Sequence, residues 1–378
     1  MRKKQQNPFV YKGYEGPDYF CDRTEETEAI VSGMQNGRNI TLISRRRIGK
    51  TGLIKHVFHQ IMHEDKRAIC LYVDIFATRK LHDFVSLFCS AFVEEVINRE
   101  KSLFSKALEA FKGWRPVFGA DPLTGAPQVS VSIEPVHTEQ TLKSIFDYIG
   151  KLNKEVYIAF DEFQQIMEYP EKGTEALLRS YIQFSHAHFI FSGSKFHLMS
   201  EMFSSPKRPF YQSTQFLYLA PLHEEIYHDF ARRFFELRKG GISREAFHDI
   251  YLLSKGSTWH IQVLLNRLYE TERRVETGRQ VNEAVETVLS TMAPGFEGLL
   301  LMLTPNQQEL LKAIAMAEPV SQPQSQDFIR RYGLPPASSI KSSVEALQDK
   351  DLIYRDTDGY IVYDRLMSLW LKRQFGVF

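Results

Sequence analysis

Cysteine is scarce in this chain: there are 3, at Cys21, Cys70 and Cys89, with no metal-ligand spacing among them. So small and odd a number excludes a disulfide framework and points to reduced thiols. An excess of one charge is also missing. Lys and Arg number 47 against 46 Asp and Glu, a formal net charge of +1, so no global field draws the molecule to nucleic acid or membrane. No apolar run approaches the ~20 residues that span a bilayer. Met1-Arg-Lys-Lys-Gln-Gln6 is followed by no apolar segment of the signal-peptide kind. A cytoplasmic protein without membrane contact is therefore expected. No Ser/His/Asp set, zinc site or nuclease-like carboxylate cluster stands out. The 12 histidines are scattered, and His56 and His59 read as surface or core rather than ligands. At 378 residues the chain is too long for one ordinary domain; ~100–200 residues per domain suggests two or three.

What is present is concentrated first at Asn39-Ile-Thr-Leu-Ile-Ser-Arg-Arg-Arg-Ile-Gly-Lys-Thr51. Ile40 to Ile43 reads as a buried strand. After a loop, Leu53, Ile54, Val57, Phe58 and Ile61 recur at helical spacing. A strand, a loop ending Gly-Lys-Thr and a helix form a phosphate cradle, in which backbone N–H groups and the helix N-terminus face the anion. Residues Ser44, Arg45, Arg46, Arg47, Ile48, Gly49, Lys50, Thr51 and Gly52 are thus candidate ATP- or ADP-binding residues. Gly49 lets the backbone approach, Lys50 reaches the β- and γ-phosphates, and the Thr51 hydroxyl ligates Mg²⁺. Ser44 stands where the pattern G-x-x-x-x-G-K-[ST] has glycine. Its Cβ is expected to restrict the backbone there.

Upstream, residues 7 to 23 are rich in Pro, Gly and aromatics, from Pro8 and Phe9 to Tyr19 and Phe20. This loop either lies over the adenine or clamps onto the core. Asp22 is expected to cap a helix starting near Arg23, with Glu25 or Glu26 in its first turn.

Downstream, Ala68 to Ile75 is apolar nearly throughout, as a strand buried on both faces should be. Asp74 sits at its C-terminal end, where open α/β sheets place functional groups. A helix is expected from Leu81 to Phe111. Residues 113–137 then read as an exposed loop or hairpin insertion, with a turn at Asp121-Pro-Leu-Thr-Gly125 and alternation at Val129, Val131 and Ile133. Val156 to Phe160 ends in Asp161-Glu162, an acidic pair at a strand tip. Asp161 is placed to hold the Mg²⁺ shell and Glu162 to orient and polarise an attacking water. A helix is expected over Gly173 to Ser185. The strand starting at His188 ends in Ser192-Gly-Ser194; Ser192 and Ser194 are candidates to sense the γ-phosphate, or form a serine-rich turn. Arg208, in the basic loop Ser205 to Tyr211, either touches a phosphate or is a solvated arginine. Gln215 to Leu219 is the fifth strand.

Beyond Ala220-Pro221 the strands stop. Glu224 to Arg238, Ser243 to Ser254, Trp259 to Glu276 and Asn282 to Met292 read as four helices, punctuated by glycines. From Thr304, a capping box with Gln307 and a proline at the first helical position open another helix. Helices over Ser325 to Tyr332 and Ala337 to Lys350 follow, then a hairpin from Leu352 to Tyr363. Three helices and a hairpin read as a winged helix-turn-helix. The expected domains are 1–220 (with the insertion 113–137), a helical lid at 221–300 and a winged helix at 301–378.

Asn7-Pro-Phe9, Phe20-x-x-Arg23-x-x-Glu26, Arg45-Arg46-x-x-Gly49-Lys50-Thr51, Phe160-Asp-Glu-Phe-Gln164, Ser192-Gly-Ser194, Arg208-Pro-x-Tyr211, Tyr360-x-Val-x-Asp364 and Trp370-Leu371, in this order, resemble the archaeal-type AAA+ ATPases of the STAND class. The resemblance covers almost the whole chain. It implies an α/β P-loop NTPase (AAA+/ASCE) with a parallel sheet of order 5-1-4-3-2, an all-α lid and a C-terminal winged helix-turn-helix. It also implies nucleotide roles for Lys50, Thr51, Asp161, Glu162 and Ser192 or Ser194, and brings Phe20 and Arg23 among the cofactor-binding candidates. Trp259-His260 stands where this family tends to have a His-Pro pair and other AAA+ proteins place a sensor arginine, so Arg208, a P-loop arginine or a partner must supply that charge. Slow turnover is expected, since a missing arginine typically costs ~10³–10⁵ in rate.

The function expected from this is a Mg²⁺-dependent ATPase acting as a conformational switch toward a protein partner, with ATP between sheet domain and lid. The alternatives are an ATP-liganded DNA-binding regulator and a non-hydrolysing scaffold. DNA binding is weakly supported: from Thr304 onward 9 Lys and Arg face 9 Asp and Glu, whereas a phosphate-gripping module is basic.

Overall fold

A strand apolar on both faces needs a layer on each side, and β1 (Ile40–Ile43) has both. The computed structural model describes residues 7–99, 114–120, 127–356 and 358–376. By contact the chain forms two compact units, Lys12–Pro221 and the residues up to Tyr11 together with those from Leu222 onward.

In the first unit β1 is joined by β2 (Ile69–Asp74), β3 (Trp114–Ala120), β4 (Pro127–Ile133), β5 (Val156–Asp161), β6 (His188–Gly193) and β7 (Gln215–Tyr218). Five of these make one parallel sheet in the order β2-β5-β6-β1-β7. Counted over the sheet strands alone this is 2-3-4-1-5, the expected order read from its other edge. The insertion is an antiparallel hairpin of β3 and β4, in register from Trp114 opposite Ile133 to Ala120 opposite Pro127. Its turn at Asp121 to Gly125 lies outside the described residues, as does the expected run of the third helix beyond residue 99.

The helices of this unit are α1 (Thr24–Gln35), α2 (Lys50–Glu64), α3 (Leu81–Arg99), α4 (Thr138–Ile149), α5 (Thr174–Gln183) and α6 (Phe196–Ser204). Strand alternation sorts the core. Ile40 and Leu42 of β1, Tyr157 and Ala159 of β5 and Ile190 of β6 pack with Ile30 and Met34 of α1 and Leu53, Ile54, Val57 and Phe58 of α2. The opposite face is phenylalanine-rich, with Phe160, Phe163, Phe189, Phe191, Phe203 and Phe210 together with α3 and α4. Phe163 and Phe191 lie 4.6 Å apart, and Phe210 meets both edge-on, a geometry worth ~0.5–1.5 kcal/mol per pair beyond area. The strand tips are thus fixed from both sides. Asp22 does not cap α1. Arg23 takes the N-cap position at φ 71° with no side-chain cap, since a guanidinium has no acceptor for the helix N–H groups.

The second unit contains α7 (Glu224–Leu237), β8 (Gly241–Ile242), α8 (Arg244–Ser254), α9 (Thr258–Thr271), β9 (Arg274–Val275), α10 (Gly278–Leu301), α11 (Pro305–Ala317), α12 (Gln326–Tyr332), α13 (Ala337–Asp349), β10 (Ile353–Arg355), β11 (Tyr360–Val362) and α14 (Arg365–Phe375). Two readings change here. Strands do not stop: β8 and β9 pair in parallel and bury Ile242 and Val275, so α9 ends at Thr271 rather than Glu276. The fourth helix does not end at Met292. Pro294-Gly295 reads as a stop, but α10 runs through to Leu301 because Phe296 and Leu300 beyond it are buried, and Phe296 packs on Trp370 at 5.6 Å.

α11 to α13, β10 and β11 form the expected winged helix, opened by the Thr304–Gln307 capping box. Asn7-Pro-Phe9 belongs to this second unit. Asn7 Nδ2 donates to the Asn266 carbonyl and Asn266 Nδ2 to the Phe9 carbonyl, both at 2.8 Å. The fully buried Phe9 ring is surrounded by Phe230, Phe234, Phe235 and Tyr269.

α14 is held by a buried carboxylate. Glu318 accepts from Arg365 at 2.6 Å, Ser368 Oγ at 2.6 Å, Lys372 Nζ at 3.0 Å and the Val362 N–H at 3.0 Å. Burial alone would raise its carboxyl, but Arg365, Ser368 and Lys372 hold it below the ordinary glutamate value. A folded value below the unfolded one stabilises above the unfolded value, and that stability is lost as pH falls through the folded one. Glu318→Ala should therefore cost about 3–5 kcal/mol at neutral pH, the range for breaking a buried pair, and flatten the acid limb of the stability curve. Urea titrations of both proteins between pH 3 and pH 7 check this; a variant within 1 kcal/mol of the parent, or an unchanged acid limb, would contradict it.

Candidate functional site

β1 hands over to α2 through the loop Ser44 to Gly49. The left-handed residues of this loop are Arg47 at φ 68° and Gly49 at φ 108°. Gly49 is the N-cap of α2, and φ 108° is a conformation that a side chain strongly disfavours. Ser44 is not in that region, so the missing first glycine imposes no backbone strain. Its hydroxyl donates to the Arg45 carbonyl at 2.9 Å. No side chain caps α2, which leaves its first N–H groups for an anion. Lys50 is buried, and its Nζ donates to the Ser44 carbonyl at 3.1 Å. Burial pushes the ammonium down, while Glu162 and Asp161 pull it back up. Both strand-tip acids therefore lie within electrostatic reach of the loop lysine.

The contact between the two motifs is direct. Thr51 Oγ1 donates to Asp161 Oδ2 at 3.0 Å, and Tyr72 Oη donates to the same oxygen at 2.5 Å. Asp161 Oδ1 accepts the Glu162 N–H at 3.0 Å. Glu162 is itself left-handed at φ 56°, which turns its side chain out of the strand's alternation. Its Oε2 accepts from Ser194 Oγ at 2.7 Å and Gln164 Nε2 at 2.5 Å. Arg46 Nε donates to Ser194 Oγ at 3.3 Å, and its guanidinium lies over Phe76. Asp74, aligned with Asp161 in the β2–β5 register, has its carboxyl raised by burial and by the charges of Asp161 and Glu162.

The two serines after β6 have different surroundings. Ser194 sits in the polar chain just described. Ser192 is fully buried and its hydroxyl has no partner. Gly193 between them packs closely: a Cβ there would force the Gln164 and Met199 side chains to move.

Other sequence candidates are engaged differently. Arg23 is buried and bridges the Ala220 carbonyl at 2.7 Å and the Ile48 carbonyl at 3.5 Å, with Glu26 at 2.7 Å; it braces the loop from behind. Phe20 stacks on His56 of α2 at 4.3 Å and touches the first turn near Gly52, and Tyr14 Oη bonds His56 Nδ1 at 2.9 Å. Those contacts are of the clamping kind. Ile48 is buried against α2. Arg45 and Arg47 lie on the loop itself. Arg208 is not brought to Lys50 by any of its named contacts: it pairs with Glu175 at 2.8 Å and with Glu201.

The donor set fits Mg²⁺. Thr51, Asp161, Glu162 and Asp74 offer hard oxygens and no sulfur or imidazole. Among the described residues no group of three or more His, Cys, Asp or Glu is placed to hold a metal ion by itself.

Three residues of the network were not singled out for the site by sequence. Gln164 appeared only within a motif and Asp74 only as a strand-tip acid. Tyr72 gave one signal, an aromatic hydroxyl in a mostly apolar strand. The contrast between the serines predicts that Ser192→Ala leaves the melting temperature unchanged or raises it, because a buried unpaired hydroxyl costs ~1–3 kcal/mol. Calorimetry showing a clear loss of stability would give Ser192 a partner in solution.

Two families match. Residues 20–264 match "ATPase domain predominantly from Archaea" and residues 294–373 match "Probable winged helix domain". No curated protein matches. Among solved structures the chain is similar to a Walker-type ATPase of Pyrococcus abyssi at 16% identity and TM-score 0.64, covering 97% of this chain and 99% of that one. It is also similar to the ORC1 protein of Aeropyrum pernix, solved in complex with DNA, at 14% identity and TM-score 0.55, covering 97% and 96%. These likenesses concern the fold. No helix among the described residues is long and apolar enough to cross a membrane. The matched family spans well over half of the chain, from Phe20 through both nucleotide motifs, and the protein belongs to this predominantly archaeal family of ATPase domains.

Proposed function

We propose that this ATPase is a Mg²⁺-dependent, STAND-like conformational switch whose nucleotide state sets what its winged-helix unit offers a protein partner. The observation that carries the reading is the join of loop and strand tip, Thr51 Oγ1 to Asp161 Oδ2 at 3.0 Å, with Glu162 held beside it by Ser194. In this reading the N–H groups of residues 45–51 and Lys50 bind the ATP phosphates, and Thr51 and Asp161 hold the metal shell. With Mg²⁺ bound there, charge on the terminal phosphates is neutralised. Glu162 orients a water and accepts its proton as the new P–O bond forms; the bond from the γ-phosphorus to the bridging oxygen breaks, and ADP leaves with the electron pair. Ser194 and Gln164 fix the Glu162 carboxylate so that its other oxygen faces the water.

Slow turnover is part of the proposal. Arg208 would have to leave Glu175 and Glu201 to reach a phosphate. His260, at the place of a sensor arginine, is buried with Ser257 at 2.7 Å and Asp364 at 3.1 Å. Asp364 also caps α14 through the Leu366 and Met367 N–H groups. That link between α9 and the last helix supports a reader built into the second unit.

A DNA-binding reading has one specific support, the winged helix itself. The solvent face of its third helix argues the other way, because exposed Lys341 is accompanied by exposed Glu345 and Asp349. Fluorescence anisotropy with duplex DNA at several salt concentrations separates the readings, since phosphate binding gives a steep salt slope.

For the chemistry, Glu162→Gln should bind ATP like the parent and lose about 10²–10⁴-fold in turnover, the usual contribution of a positioned base. Ser194→Ala should lose part of that. Phosphate release measured against Lys50→Ala as background checks both, and unchanged turnover in Glu162→Gln would refute the assignment.

A further inference from the structure

Tyr72 stands on β2 directly opposite Ala159 of β5. Ala159 and Asp161 lie two apart on β5 and share one face. A long side chain beside a small one can reach the diagonal neighbour, and the Tyr72 hydroxyl does so, ending 2.5 Å from Asp161 Oδ2 and 3.5 Å from Thr51 Oγ1. The ring is pinned from the helix side by Lys55, whose Nζ lies 5.2 Å from its centroid. Lys55 is one turn beyond Thr51 on α2. The hydroxyl is therefore held between the two residues assigned to the metal shell by a packed ring, not by a mobile arm.

We propose that Tyr72 is a positioning residue for the metal site: its hydroxyl fixes the rotation of the Asp161 carboxylate so that one oxygen stays aimed at the Mg²⁺ shell when Thr51 turns to its ligand role. The physical need is specific. Asp161 is almost wholly buried, and its Oδ2 has the Thr51 and Tyr72 hydroxyls as donors. Once Thr51 commits to the ion, Tyr72 is the donor left on that oxygen, while the Glu162 N–H holds Oδ1. Donors behind a ligating carboxylate commonly govern metal affinity by 10–100-fold.

This inference rests on the proposed role of Asp161, and the test separates the two. Binding of a fluorescent ATP analogue to the full chain is measured in EDTA and then across a Mg²⁺ titration. Tyr72→Phe should fold and keep the EDTA affinity of the parent while its Mg²⁺ half-saturation rises about 10–100-fold. An unchanged Mg²⁺ dependence, an equal loss with and without Mg²⁺, or a variant that fails to fold denies the hydroxyl a role specific to the metal and overturns the proposal. Asp161→Asn is run beside it. If Mg²⁺ dependence survives in that variant, the reading of the site itself fails; if it is abolished there but untouched in Tyr72→Phe, only the role of Tyr72 fails.

Discussion

The hydrogen bond from Thr51 to Asp161 is the constraint on which the rest of the first unit depends. It ties the first turn of a helix to the tip of a strand 110 residues later in the chain. Neither partner is free to sit elsewhere. Thr51 is placed by Gly49, whose left-handed backbone starts α2 where it does. Asp161 is placed by a strand buried along its whole length. A donor and a carboxylate held this way form a prearranged polar pocket, and prearrangement lets such a site meet developing charge without reorganising.

The phenylalanine-rich face supplies the rigidity. Phe160 precedes the acidic pair and Phe163 follows it, and both rings pack with Phe191 of the next strand. Glu162 can therefore adopt a left-handed backbone without the tip unravelling, because buried rings on either side over-determine its position. From that position it meets Ser194, so the aromatic core and the polar chain above it are one construction.

Much of this was legible in the sequence, for definite reasons. The five sheet strands are apolar runs with sharp ends, and their boundaries fell within one or two residues of the structure. Gly49-Lys50-Thr51 and Asp161-Glu162 were readable because their chemistry demands those residue types in that context. What escaped depended on three-dimensional neighbours. Nothing local distinguishes Ser192 from Ser194; only the structure shows one hydroxyl unpartnered and the other on Glu162. The resemblance brought Arg23 among the cofactor-binding candidates; its contacts with the Ile48 and Ala220 carbonyls, far from it in sequence, are visible only in the structure. The helix expected to end at Met292 runs on past Pro294 because Phe296 and Leu300 are buried, which only the packing shows. Asn7-Pro-Phe9 carried a family resemblance but no hint that its phenylalanine fills the core of helices more than 200 residues away.

The central claim is that the bend after Ile43 grips a triphosphate and that Asp161 and Glu162 close on its metal from the tip of β5, two strands away in the sheet. A crystal structure with Mg²⁺ and a non-hydrolysable ATP analogue tests it most directly. The account predicts the phosphates against the backbone of residues 45–51, with Lys50 on the terminal groups and Thr51 and Asp161 at the ion. A nucleotide bound elsewhere, or a loop that stays folded onto Lys50 at saturating analogue, would contradict it.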